Sequence, residues 1–323
     1  MPPEPQWRSI ADHERAPHQH AAVFGTRASG VAASSKLPAQ AASGCEPGDG
    51  AAMIDQAVIT NEEFLLFQRL IHKLAGINLA DSKKVLLVGR LQRRLRERQL
   101  DSFSQYYRLL TGGQHPDEVQ TMIDLLTTNE TYFFRESRHF DFLRDEILTT
   151  RRQSGNFRIW SAASSSGEEA YSIAMLLAES LPHTAWDVFG SDISTQVLAR
   201  ARTAVYPLHR NERIPEACMR KYCLQGVAAS PGNFLVAPKI RQQVRFGQVN
   251  LTQAIDPGIG SFEVIFLRNV MIYFDNETKR KVVANLLPRL LPGGHFIVGH
   301  SESLHGLSDR LVQVRPTIYR LPG

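Results

Sequence analysis

Residues 158–175 read RIWSAASSSGEEAYSIAM: a short apolar run, a loop made almost wholly of alanine, serine and glycine, and the opening of a helix. Side chains this small leave the backbone open to a ligand, at a helix end whose unpaired N–H groups point outward. Taken alone, such a loop is as often structural as functional. The next apolar run, Trp186 to Gly190, is continued by Ser191 and Asp192, so an acid stands twenty-five positions beyond Gly167. That is about where an open α/β sheet holds a ribose hydroxyl.

A dinucleotide fold would share this layout. Glu168 and Glu169, however, fall in the first helical turn, where carboxylates repel a pyrophosphate but tolerate a cationic sulfonium. The pattern favours S-adenosylmethionine over NAD. Short apolar runs alternate with helical patterns from Phe157 onward, which predicts a parallel sheet with crossover helices. The predicted strands are Phe157 to Trp160, Trp186 to Gly190, Val244 to Phe246, Phe262 to Leu267, His295 to Gly299 and Thr317 to Leu321. A helix is expected from Asn276 to Leu291, broken by the Pro-Gly-Gly of residues 292–294, with a terminal hairpin after it. The gap before Val244 exceeds one crossover helix, and a Pro-Gly turn at Pro231 and Gly232 predicts a small antiparallel insert at about 220–242.

Upstream, the texture is different. Residues 1–57 are rich in alanine, proline, serine and glycine and bury too little to offset chain entropy, so they are expected to be a disordered tail. His13, His18 and His20 there read as a solvated cluster. Thr60 and Glu63 have capping-box spacing, Phe64, Phe67, Leu70, Ile71 and Leu74 follow at helical spacing, and Gly76 marks the end. A second capped start at Asp81 leads into a helix with Val88, Leu91 and Leu95 on one face and Arg90, Arg93 and Arg94 on another. Helices near 102–110 and 116–127 complete an all-α domain over 58–127, ahead of the domain expected over 128–323.

Cys45, Cys218 and Cys223 complete no zinc spacing, and no metal site is expected. The formal net charge is +5, while residues 1–55 carry four basic and six acidic side chains, so the positive field belongs to the folded part. No run is long and apolar enough to span a bilayer, and the N-terminus lacks the pattern of a signal peptide. A cytoplasmic protein is expected.

TTNETYFFRE at 127–136, SAASSSGEEAYSIAM at 161–175, SDI at 191–193, VNL at 249–251, RNVMIYF at 268–274 and GHSE at 299–302 together resemble the chemotaxis receptor glutamate O-methyltransferase family (CheR type). The resemblance extends from about residue 60 to 321. It implies a class I S-adenosylmethionine-dependent methyltransferase domain, Rossmann-like, with a small antiparallel β insert and a preceding all-α domain. Carried over by position, the cofactor contacts would be Asn129, Thr131, Arg135, Glu169, Asp192, Asn250, Leu251, Arg268 and Asn269. Asp192 would accept from ribose hydroxyls, and either Glu169 or Arg135 would hold the amino-acid end. Arg135 and Tyr273 would position the substrate carboxylate. The one departure noted is Ala170, where relatives commonly have proline after the paired glutamates.

The implied reaction moves a methyl group from S-adenosylmethionine to a glutamate carboxylate of a chemoreceptor, leaving S-adenosylhomocysteine. Glutamate, with a pKa of about 4.3, is already ionised at pH 7, so no general base is expected. His300 and His305 need no catalytic role, and His300 either lines the site or serves structurally. The implied partners are receptor cytoplasmic helices, facing Arg90, Arg93, Arg94 and Arg98, and in some relatives a receptor C-terminal peptide at the insert. A merely solvated basic face is the alternative. Nucleic acid is disfavoured because no stacking aromatics interleave the arginines. Two rivals are a different methyl acceptor and a cofactor sensor without turnover.

Overall fold

The computed structural model describes residues 6–10, 57–150, 155–227 and 231–323. Thr60 and Glu63 form the reciprocal cap: the Thr60 hydroxyl accepts from the Glu63 amide at 3.1 Å, and the Glu63 carboxylate accepts from the Thr60 amide at 2.9 Å. Helix α1 (Asn61–Ala75) ends at Gly76, in left-handed geometry at φ 72°. Its Phe67 and Ile71 bury against Leu87, Leu91 and Leu95 of α2 (Lys84–Glu97), Tyr106 of α3 (Phe103–Thr111) and Met122 of α4 (Pro116–Leu126). Each such side chain stabilises the unit by roughly 1.5–3 kcal/mol. Asp81 is not the side-chain cap expected of it. It starts a 3₁₀ turn, Asp81–Lys83, and accepts instead from the Gln68 amide at 2.9 Å.

After α5 (Arg138–Phe142), a seven-stranded sheet forms from β2 (Phe157–Ser161), β3 (Trp186–Asp192), β7 (Val244–Gln248), β8 (Phe262–Leu267), β9 (Leu290–Val298), β10 (Val312–Arg315) and β11 (Ile318–Arg320). Their spatial order is β10-β11-β9-β8-β2-β3-β7, with the five strands β9, β8, β2, β3 and β7 parallel and β11 and β10 closing as an antiparallel hairpin. Successive strands leave β2 in opposite directions across the sheet. A crevice therefore opens at the carboxyl ends there. Helices α6 (Glu168–Ser180), α7 (Thr195–Thr203) and α10 (Asn276–Leu286) are crossovers. The expected Asn276 to Leu291 helix stops at Leu286, because Pro288 turns the chain through a 3₁₀ segment, Leu287–Arg289, and β9 begins at Leu290.

The insert starts earlier than its sequence suggests. Strands β4 (Val205–Pro207), β5 (Cys223–Val227) and β6 (Asn233–Val236) are antiparallel, with α8 (Glu216–Tyr222) before β5 and α9 (Pro238–Arg241) after β6. A further strand, β1 (Gln6–Ser9), comes from the segment expected to be disordered and pairs with β5, setting Trp7 opposite Gly226. The three tail histidines and Cys45 lie outside the described residues.

The helical unit is fastened to the sheet domain by hydrogen bonds. The Asn250 side chain donates to the Leu74 carbonyl at 2.7 Å, the Asn78 amide to the Tyr273 carbonyl at 2.7 Å, and the Thr195 amide to Asp124 at 2.9 Å. Gly76 sits in this seam, where a Cβ would come within 2.7 Å of both Thr252 and Thr278.

Candidate functional site

A cavity of about 480 Å³ lies over the carboxyl ends of the parallel strands. Each strand at the switch contributes to it: Ala162, Ala163 and Ser165 follow β2, Asp192 and Ile193 follow β3, Asn250 and Leu251 follow β7, and Arg268 and Asn269 follow β8. The helical unit supplies the opposite wall through Ile77, Leu86, Arg90 and Thr127. Asn129, Thr131, Arg135, Glu169 and Tyr273 also line it, so every residue assigned to cofactor or substrate by resemblance reaches this one cavity.

At its centre is Arg268, with 1% of its side chain exposed. Its guanidinium donates to Glu169 at 2.9 Å and to Glu136 at 3.0 Å. Glu169 also accepts from the Ser161 hydroxyl at 2.6 Å. Burial pushes the Glu169 carboxyl up, and Arg268 pulls it back toward ionisation. Burial opposes ionisation of Glu136 too, but Arg268 and Asn269 outweigh it and hold its carboxyl low. Arg268 Nε is buried without a partner among the described residues.

Asp192 braces the backbone around it while lining the cavity. Its carboxylate accepts from the Ser165 amide at 2.9 Å and the Ser194 amide at 3.0 Å, bracing the small-residue loop against the start of α7. Each oxygen keeps a second lone pair for a ligand hydroxyl. Burial raises this carboxyl, and the amides offset part of the rise.

Asn250 and Arg135 are less free than their positions suggest. The Asn250 side chain is consumed at the domain seam, accepting from the Thr252 amide and hydroxyl besides donating to Leu74, so what it offers a ligand is its backbone. Arg135 donates to the Glu130 carbonyl at 2.8 Å and lies 5.5 Å from the Tyr132 ring. The Asn129 amide donates to the Thr127 hydroxyl, and the Thr131 carbonyl accepts from Arg210.

The role of Glu302 was not legible. Its carboxylate accepts from the amides of Asn269 at 2.8 Å, Met271 at 2.7 Å and Gly299 at 2.7 Å, fixing the turn that presents Arg268 and Asn269. Asn269 adopts φ 58°, a left-handed conformation that asparagine tolerates better than most residues. A Cβ on Gly299 would stand 2.7 Å from Nδ2 of the Asn269 side chain, 2.8 Å from the Glu302 carboxylate and 3.0 Å from the Asn269 backbone N, which explains the glycine of the GHSE motif. The GHSE spacing places Glu302 three residues beyond Gly299, which was the available signal.

Glu136, His139 and His300 bring ligand-capable atoms within 4.8 Å of one another. Arg268 already occupies Glu136, and it stands beside His139, whose ring burial and that cation hold near pKa 3. This is an ion-pair network, in which a metal cation would meet a resident guanidinium.

Of Arg90, Arg93, Arg94 and Arg98 on the basic helix, three are engaged within the fold. Arg90 donates to the carbonyls of Leu126 and Thr127, both at 3.0 Å, capping α4. Arg94 and Arg98 converge on Glu118, which is fully buried and also accepts from the Tyr106 hydroxyl at 2.8 Å. Burial alone would raise the Glu118 carboxyl, but Arg94, Tyr106 and Arg98 together hold it at about 2. Arg93 pairs only with Glu97 and has 81% of its side chain exposed.

The cavity suits S-adenosylmethionine on the residues present. Buried acids face a ligand that carries an ammonium and ribose hydroxyls, a buried arginine retains an unpartnered N–H, and the loop at Ala162 and Ala163 is bare of bulk. Among the described residues no helix is long and apolar enough to cross a membrane. Comparison with known proteins agrees with this geometry. Residues 62–127 match the CheR methyltransferase all-alpha domain, and residues 129–320 match the CheR methyltransferase SAM binding domain. The chain is 40% identical over 271 residues to a chemotaxis protein methyltransferase of Escherichia coli, covering 83% of this chain and 94% of that one. It is also 40% identical over 264 residues to chemotaxis protein methyltransferase 2 of Pseudomonas aeruginosa, covering 80% and 93%. The chain belongs to the CheR methyltransferase family, and its cofactor is S-adenosylmethionine.

Proposed function

We propose that this protein esterifies glutamate side chains on the cytoplasmic helices of chemoreceptors. The observation that carries the reading is the gathering of Glu169, Asp192 and Arg268 with Arg135 and Tyr273 around one cavity, in a chain whose relatives are chemotaxis methyltransferases. Glu169 and Asp192 would hold the cofactor's ammonium and ribose, and the backbone beside Asn250 and Leu251 would flank its base. When bound, the cofactor supplies an electrophilic methyl on a sulfonium. Arg135 and Tyr273 would orient the incoming carboxylate by charge and hydrogen bonding. The acceptor is ionised at neutral pH, so the protein's task is alignment and exclusion of water, and alignment alone is worth up to about 7–11 kcal/mol in favourable cases.

Receptor docking would fall to the exposed part of the basic helix, chiefly Arg93 with the outer portion of Arg98. Exposed pairs contribute only about 0.2–1 kcal/mol each, so this contact would steer the receptor and weaken with salt. The deciding experiment is transfer of labelled methyl to receptor-rich bacterial membranes, followed by mild alkali. Label on a receptor band released by base supports the ester. Base-stable label points to another acceptor and overturns the reading.

A further inference from the structure

The sheet of the insert runs β1-β5-β6-β4, so one of its edges is completed by a strand from the far N-terminus. Remove β1 and β5 becomes an open edge, with unpaired N–H and C=O groups able to accept any extended chain. The register is defined by four consecutive antiparallel pairs, from Gln6 opposite Val227 to Ser9 opposite Leu224. Trp7 faces buried Gly226, a position with no side chain to oppose an indole, while Arg8 turns to solvent. Trp7 and Ile10 pack against the apolar cluster that holds Tyr206, Cys223 and Phe234. Segments on either side of 6–10 are poor in large apolar residues, so this short island is distinct within its surroundings.

We propose that residues 6–10 occupy the β5 edge in cis as an exchangeable cover, so that any extended peptide pairing with this edge must first displace them. Main-chain pairing gives such an edge its affinity, and the packing of Trp7 and Ile10 on the apolar cluster gives it selectivity. Four paired residues and two apolar side chains make an exchangeable occupant. Tethering compensates by presenting the segment at an effective concentration on the order of mM. The chain between Ile10 and α1 imposes no geometric bar, since its 50 residues could span at most roughly 165 Å. The N-terminus thus sets a threshold that a competing tail must exceed. This holds whatever the methyl acceptor is.

The test uses a fluorescent peptide of residues 4–12 and two full-length chains, wild type and the Trp7→Ala/Ile10→Ala variant. Anisotropy is expected to show the peptide binding the variant about tenfold or more tighter than wild type, and a Trp7→Ala peptide losing most of that binding. Equal affinity for both chains, or indifference to the peptide's tryptophan, overturns the proposal. Cofactor titration of the variant, expected to match wild type, confirms that the cavity remains folded. Sedimentation showing that wild type dimerises while the variant is monomeric would overturn the cis arrangement in favour of a strand exchanged between two copies.

Discussion

The Arg268 guanidinium donates to the Glu169 carboxylate at 2.9 Å, joining the turn after β8 to the first turn of α6 across the mouth of the sheet. Removing the cation leaves Glu136 and Glu169 buried against each other. Arg268→Met is expected to destabilise the fold by about 3–5 kcal/mol, read as a fall in the denaturation midpoint, and to abolish cofactor binding. Glu169→Gln keeps one acceptor oxygen for Arg268 and turns the other position into an N–H, which the Ser161 hydroxyl can accept by rotating. It should fold nearly as well as wild type yet bind S-adenosylmethionine about tenfold or more weakly by calorimetric titration, the difference of about 1.4 kcal/mol expected for losing one charge-assisted contact.

Charge reversal separates the two kinds of arginine on α2. Arg94→Glu sets a third carboxylate beside Glu97 and buried Glu118, and should cost about 3–5 kcal/mol of stability. Arg93→Glu breaks only an exposed pair and should shift stability by no more than about 1 kcal/mol. On the proposed function it lowers receptor methylation at low salt, with cofactor affinity unchanged. Equal methylation by Arg93→Glu and wild type across a salt series would remove α2 from receptor docking.

Gly299→Ala should act on the site rather than the core. The added methyl meets the Asn269 and Glu302 side chains at under 3 Å and the Asn269 backbone N at 3.0 Å, pressing on the turn that carries Arg268. Cofactor affinity is expected to fall at least about tenfold, while circular dichroism remains close to wild type. Glu302→Gln, which trades an acceptor oxygen for a donor facing backbone N–H groups, should lower cofactor affinity in the same way.

Acid should weaken the protein in two stages. Buried His139 stays neutral down to about pH 3, while an unfolded histidine takes up a proton near pH 6.5. The unfolded state therefore binds more protons, and stability falls as pH drops from about 6.5 toward 3. Glu118, held at about 2 by its arginines, contributes stability that is present above about pH 4.3 and lost as pH falls toward 2. Thermal melts across this range should show both. His139→Asn is expected to make the first stage shallower without abolishing it, because His295, held at about 4 by burial and the nearby Arg320, contributes over the same range.

What could be read in the sequence was local. The Thr60 and Glu63 cap, the small-residue loop and the acid at Asp192 each declare themselves within a few positions, because their physics is that of one turn. The contacts that remained hidden join distant segments. Arg94 and Glu118 are 24 residues apart, and nothing in the spacing of α2 reveals that its charged face is folded inward on a buried acid. Asn250 looked available for a ligand because the partner that claims it, Leu74, lies 176 positions away. Strand β1 escaped notice because composition was averaged over the tail, which dilutes Trp7 and Ile10 among alanines and serines. The false end of α10 came from weighing the Pro-Gly-Gly at 292–294 above Pro288, which stops the helix first.

The bond from Asn250 to Leu74 is one of several that hold two separately matched segments in register, so the cavity has walls inherited from both. Neither segment can drift in sequence at this seam without a matching change in the other. Exchange of the helical unit between relatives should therefore succeed only when Gly76 travels with Thr252 and Thr278, whose methyls leave no room for a Cβ there, and hybrids cut at residue 127 that break this match should inherit ill-fitting walls. Variation in the helical unit is thus constrained by the ligand that both segments must keep enclosing.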